Sequence, residues 1–190
     1  DRLRHVNATA GDSLAHFPDF LLAGPPRTGS TWLFSHLASH PEIFLPHGKE
    51  IYFFSTLGNP DAKHYRFDSL ADYLAELTDS PIRHLRKHAK CLRAAGRLYR
   101  PKIRGEATAT YATLDPEVIR EITMLNPEIK VIIVLRDPFE RAWSHAKKDL
   151  LDRHDRAPED VQPEEFDKFF RAAGQMQNNR YSCLLYTSDA

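Results

Sequence analysis

The sequence predicts an α/β fold built on a central parallel sheet. Three observations carry that reading. Phe20–Ala23 is a short apolar run that leads through a loop bounded by Gly24 and Gly29 into a helix-like stretch. Lys130–Leu135 is β-branched and does not alternate, as expected of a parallel strand covered on both faces. Along the chain, strand-like runs alternate with stretches of helical period, the pattern of layered α/β domains.

Taken in order, Pro18 and Asp19 precede the first strand, and Ser30–Ser39 reads as a helix with Trp32, Leu33 and Leu37 on one side, stopped by Pro41. Lys49–Phe54 is a compact aromatic segment after a Pro46/Gly48 turn. Ser69–Leu77 has Leu70, Tyr73, Leu74 and Leu77 at helical spacing. Ile82–Ala95 reads as a basic helix. Asp115-Pro-Glu opens another, with Asp at the N-cap and Pro at the first helical position, and it runs to about Leu125. Pro138 starts a helix reaching about Leu151, a polar loop follows to Pro163, and Glu164–Met176 reads as a last helix. Phe53, Phe54 and Trp143 are expected in the core.

Composition excludes several classes. The 190 residues suffice for one domain, with 26 basic and 26 acidic residues and no net charge, which disfavours a globally basic nucleic-acid binder. A hydrophobic content of 42% argues against disorder. No apolar run is long enough for a membrane span. Cys91 and Cys183 cannot make a disulfide framework. The chain begins at Asp1, so an upstream signal or anchor is conceivable. Cys183–Ala190 looks like a translated sequencing adapter, so residues 1–182 are read as the domain, incomplete at its C-terminus. The stretch Ser80–Gly105 holds nine Lys/Arg and no acid. Arg83, Arg86, Lys87, Lys90 and Arg93 suit an acidic glycan, but a solvated helix balancing an otherwise acidic domain is the favoured reading.

Gly24-Pro-Pro-Arg-Thr-Gly-Ser-Thr31 has nearly the skeleton of a phosphate-binding loop. Both glycines and the final Thr31 are in place. Ser30 stands where the nucleotide loop has lysine, and a positive charge appears instead at Arg27. Converging N–H groups and a helix N-terminus still suit an anion. Arg136 follows directly on the strand-like run, and Ser144 lies eight residues further on. Both can face the carboxyl edge of the sheet, where open α/β sheets bind ligands. A guanidinium fork matches a dianionic phosphate. The bland alternative for Arg136 is an ion pair with an acid such as Glu140. The whole reads as a P-loop-like three-layer sandwich.

These residues resemble the sulfotransferases that use 3′-phosphoadenosine 5′-phosphosulfate (PAPS). Pro25-Pro-Arg-Thr-Gly-Ser-Thr-Trp32 resembles their 5′-phosphosulfate loop. Val131–Ser144, with Leu135-Arg-Asp-Pro138 and Arg141-Ala-Trp-Ser-His145, resembles their 3′-phosphate motif. Lys49-Glu-Ile-Tyr-Phe-Phe54 and Gly105-Glu-Ala-Thr-Ala-Thr-Tyr111 resemble motifs of the carbohydrate and heparan-type branch and its bacterial relatives. The resemblance implies that Arg27 lies beside the transferring sulfuryl group. It implies that Thr28, Gly29, Ser30, Thr31 and Trp32 belong to the cofactor loop, that Arg136 and Ser144 bind the 3′-phosphate, and that Glu50 is the catalytic base. Ala107 stands where many heparan-type relatives have lysine, which puts their polyanion-binding mode in doubt. Tyr181 resembles the start of a later motif.

The expected reaction is sulfuryl transfer from PAPS, as co-substrate, to a hydroxyl or amine of a small-molecule or glycan acceptor. No metal is expected, because a sulfuryl group carries less charge than a phosphoryl group. His36/His40 and His84/His88 have helical spacing but lack an evident third ligand. The rival readings are a Mg²⁺-dependent nucleotidase or kinase and a non-catalytic anion- or glycan-binding module. Location follows source: cytoplasmic for a bacterial chain, Golgi lumen for a eukaryotic one with an anchor upstream.

Overall fold

The computed structural model describes residues 14–154, together with 162–165 and 167–168. Among them, Leu14–Gly24 and Ser30–Val134 form one compact unit. Pro25–Gly29 and the residues from Leu135 onward form a second.

The first unit is built on four parallel strands: β1 (Phe20–Leu22), β2 (Ile43–Phe44), β3 (Ile103–Ala107) and β4 (Lys130–Ile132), in the order β2-β3-β1-β4. Its helices are α1 (Ser30–Ala38), α2 (Phe53–Thr56), α3 (Leu70–Glu76), α4 (Pro81–Ala95) and α5 (Pro116–Leu125). Side chains of a strand alternate between faces. Leu21, Ala23 and Phe44 therefore meet α2, α3 and α5 through Phe53, Phe54, Tyr73, Leu74, Val118 and Ile122. Phe20, Ile43 and Leu45 point the other way, onto Phe34, Leu37 and Ala38 of α1. The result is the expected three layers. Phe53 and Phe54 are in the core as read from the sequence, in an aromatic cluster with Tyr73 and Tyr111.

Local signals set most boundaries. The Ser69 hydroxyl accepts from Asp72 N at the start of α3, the Ser80 hydroxyl from Arg83 N at α4, and Asp115 from Glu117 N at α5. Gly96 closes α4 at φ 62°, where only glycine is unstrained. A Cβ on Gly105 would overlap the Phe20 ring, which lies across that position from the neighbouring strand, so a larger residue there would force the ring to move.

Three sequence expectations are corrected. The β-branched run is a strand only over Lys130–Ile132, at the edge of the sheet, with Val131 57% and Ile133 55% exposed. β4 pairs with β1 alone, and among the described residues no strand lies on its far side. Trp32 is 66% exposed on α1, because the packed stripe is Phe34, Leu37 and Ala38, at helical i, i+3 and i+4 spacing. Trp143, expected in the core, is 48% exposed. The strands β2 and β3 were not foreseen.

In the second unit, α6 runs from Pro138 to His154, three residues past its expected end. Residues 163–165 and 167–168 are helical. The rest of the last expected helix, Tyr181 and the Cys183–Ala190 tail lie outside the described residues.

Candidate active site

In the first unit, two sequence motifs are joined by hydrogen bonds. β3 ends in Glu106-Ala107, and the chain continues through Thr108 into a short 3-10 turn at Ala109–Thr113. Glu50 N donates to Ala107 O at 2.7 Å, and the Glu50 Oε2 atom accepts from Ala109 N at 3.1 Å. The Thr108 hydroxyl oxygen accepts from Ile51 N at 3.1 Å and from Tyr52 N at 3.5 Å. The Tyr111 hydroxyl accepts from Phe54 N at 3.3 Å. These bonds clamp a strained segment. Glu50 (φ 65°) and Tyr52 (φ 64°) are left-handed, as is Arg27 (φ 71°) in the loop. They are the three positive-φ residues other than glycine among those described. Each conformation costs about 1–2 kcal/mol and persists only where its surroundings fix it.

Beneath the clamp lies a buried carboxyl. Glu106 is fully buried, and its Oε1 accepts from the Tyr73 hydroxyl at 2.6 Å while its Oε2 accepts from Thr108 at 3.4 Å. Burial pushes its pKa up to about 7, against the pull of hydrogen bonds from Tyr73, Tyr111 and Thr108 and with a smaller push from the Glu50 charge. The same burial raises the Tyr73 and Tyr111 hydroxyls well above their usual range. Ala107 is also fully buried.

Lys49, Ser30 and Thr31 complete this group. Lys49 Nζ donates to the Ser30 hydroxyl at 2.9 Å and to the Thr31 hydroxyl at 3.1 Å, and lies 3.8 Å from Glu50 Oε1. Burial lowers the pKa of the ammonium, and the Glu50 charge works against that shift.

The second unit gathers three residues the sequence singled out. The Ser144 hydroxyl accepts from Arg27 Nε at 3.0 Å, and Arg136 Nη1 donates to Arg27 O at 3.3 Å. Arg27 is thus beside residues more than a hundred positions away. Thr28 is buried and donates to Pro25 O at 2.9 Å, closing the loop on itself, while Gly29 takes φ 96°. Arg136 Nη2 also pairs with Glu140 Oε2 at 2.9 Å. The ion pair weighed as the bland alternative is therefore present.

Sequence reasoning missed Lys49, Glu106 and Thr108 as members of the site. The one available signal for Lys49 was the serine at position 30, which left the loop short of a lysine. On α4, Lys87 turns inward over the Phe44 and Tyr99 rings, so it is not presented with the other basic residues. Among the described residues no group of three His, Cys, Asp or Glu side chains could hold a metal ion, and no helix is long and apolar enough to cross a membrane.

The model of the sulfotransferase family matches residues 18–184. The chain belongs to that family. A curated member, the membrane-associated sulfotransferase kil1 of Dictyostelium discoideum, is 28% identical over 127 residues, 67% of this chain and 22% of that protein. The chain thus spans about a fifth of that relative's length. The crystal structure of a sulfotransferase from Alicyclobacillus acidocaldarius aligns with 83% of this chain and 64% of its own, at 25% identity and a TM-score of 0.44. Both segments that resemble the family's cofactor motifs, 25–32 and 131–144, fall inside the matched residues.

Proposed function

We propose that the protein transfers a sulfuryl group from PAPS to a hydroxyl or amine of a carbohydrate acceptor. The observation that supports this most is the meeting of Arg27, Arg136 and Ser144 within one unit. Two guanidinium groups and a hydroxyl offer donors suited to phosphate oxygens, and they come from the two motifs of a sulfotransferase-family chain. The carbohydrate acceptor rests on less, namely the likeness of segments 49–54 and 105–111 to that branch of the family.

In the proposed reaction the acceptor oxygen or nitrogen attacks sulfur in line. The bond from sulfur to the bridging phosphate oxygen breaks, and its electron pair leaves with adenosine 3′,5′-bisphosphate. Glu50 takes the acceptor proton. Its backbone N–H is engaged with the end of β3 and its Oε2 with the turn that follows, which fixes the carboxylate before substrate arrives. Arg27 and the loop N–H groups stabilise charge growing on the leaving phosphate. Arg136 and Ser144 bind the 3′-phosphate.

A thermal-shift titration of the chain tests the donor. Adenosine 3′,5′-bisphosphate in chelator is expected to stabilise it, by about 2.7 kcal/mol at a hundred times Kd, and Arg136→Ala is expected to abolish the shift. Stabilisation by Mg·ATP alone would replace this reading with a nucleotidase or kinase.

A further inference from the structure

The cofactor loop lacks the lysine that nucleotide-binding loops carry before their final Ser/Thr, since Ser30 occupies that place. The structure brings the ammonium of another lysine onto Ser30 itself. Lys49 reaches across from the segment before α2, and its ammonium donates to both Ser30 and Thr31. Its side chain is only 16% exposed, so this is not a solvated lysine resting on the surface. Holding a cation there costs desolvation, which Glu50 at 3.8 Å only partly offsets.

A hydroxyl has one proton and two lone pairs. When its oxygen accepts from an ammonium, its own proton must point elsewhere. Lys49 therefore turns Ser30 and Thr31 into donors, and polarises both. Two such donors at the start of α1 add to the N–H groups of the first helical turn.

We infer that Lys49 is the loop's missing lysine: a positioning residue that orients and polarises the Ser30 and Thr31 hydroxyls toward the 5′-phosphosulfate of the donor. The inference rests on the reading of this site as a PAPS site, and deepens it. Through the adjacent Glu50 it also ties the residue that removes the acceptor proton to the hydroxyls that receive the donor.

The test uses two ligands that differ at the 5′ position. Calorimetric titration of the chain with PAPS and with adenosine 3′-monophosphate measures affinity with and without the 5′ group. Lys49→Met is expected to weaken PAPS at least tenfold and to leave adenosine 3′-monophosphate within twofold. Lys49→Arg is expected to recover most of the loss. Ser30→Ala, which keeps the lysine and removes one hydroxyl, is expected to weaken PAPS selectively by about threefold, and it decides the matter if Lys49→Met does not fold. Wild-type binding of both ligands with no selective loss in the variants, or with equal loss for both ligands, overturns the role of Lys49 and leaves the PAPS site standing. No binding of either ligand by the wild type overturns the PAPS site itself.

Discussion

The segment carrying Glu50 and the group formed by Arg27, Arg136 and Ser144 follow opposite rules. Around Glu50 the partners are buried: Glu106 and Thr108 are fully enclosed, Ile51 nearly so, and the contacts are backbone N–H groups on fixed acceptors. Nothing in that set is a place a ligand would take. Around Arg136 the partners are exposed, and one of them is the carboxylate of Glu140, itself 63% exposed. An anion already sits where a phosphate is proposed to bind. Under the roles proposed for the two groups, the difference teaches that proton removal and phosphate binding call for different construction. A base must stand in one geometry before reaction, and the segment proposed to carry it is held by hydrogen bonds to buried partners. A phosphate site must exchange its ligand, and the arginine proposed for it rests on a surface pair worth about 1 kcal/mol or less.

That contrast can be broken at three points. The largest effect belongs to Glu50→Gln. Turnover of radiolabelled PAPS with a panel of glycan acceptors should fall at least 100-fold, within the usual range for losing a general base, while affinity for adenosine 3′,5′-bisphosphate stays within about twofold. Retained turnover would remove Glu50 from the chemistry and dissolve the contrast.

Next comes the buried carboxyl beneath it. The folded pKa of Glu106, about 7, lies above its unfolded value of 4.5, so the native state holds the proton more tightly than the unfolded chain. Between those two values the native state binds more protons, and stability therefore falls as pH rises from about 4.5 to about 7. The size is about 2–4 kcal/mol at full effect. Glu106→Gln should remove that component from a series of denaturant titrations across this range. A wild-type curve with the same slope as the variant would show that Glu106 is not the buried, proton-holding group described here.

The smallest effect is on the exposed side. Glu140→Ala frees Arg136 from its pair and should tighten adenosine 3′,5′-bisphosphate by about two- to fivefold. Weaker binding would mean that Glu140 orients Arg136 rather than competing for it.

How far the sequence led depends on what each residue answers to. β1, α1, α5 and α6 were legible because local signals decide them: an apolar run, a glycine loop, Asp115-Pro116 and Pro138. The strand β3 was not, because Arg104, Gly105 and Glu106 are poor strand formers whose place is set by a neighbour's ring and by buried tyrosines. β4 was legible as a strand and not in its surroundings, since composition tells what a strand would accept on its faces and not what is there. Among the residues of the two groups, Arg27, Arg136, Ser144 and Glu50 carried motif signals. Lys49, Glu106 and Thr108 act through partners far away in sequence, and no spacing rule reports such partners.

The three left-handed residues bear on how this chain would change under selection. At Arg27, Glu50 and Tyr52 a glycine or asparagine would relieve the backbone. A library screened for heat resistance alone would therefore enrich small, flexible residues there, and its survivors would have lost the guanidinium and the carboxylate proposed for transfer. A second sieve for bound adenosine 3′,5′-bisphosphate would recover Arg27 but would be blind to Glu50. Only a screen on product would retain all the chemistry, which makes these positions a marker of whether a homologous chain has been kept for catalysis or merely for its fold.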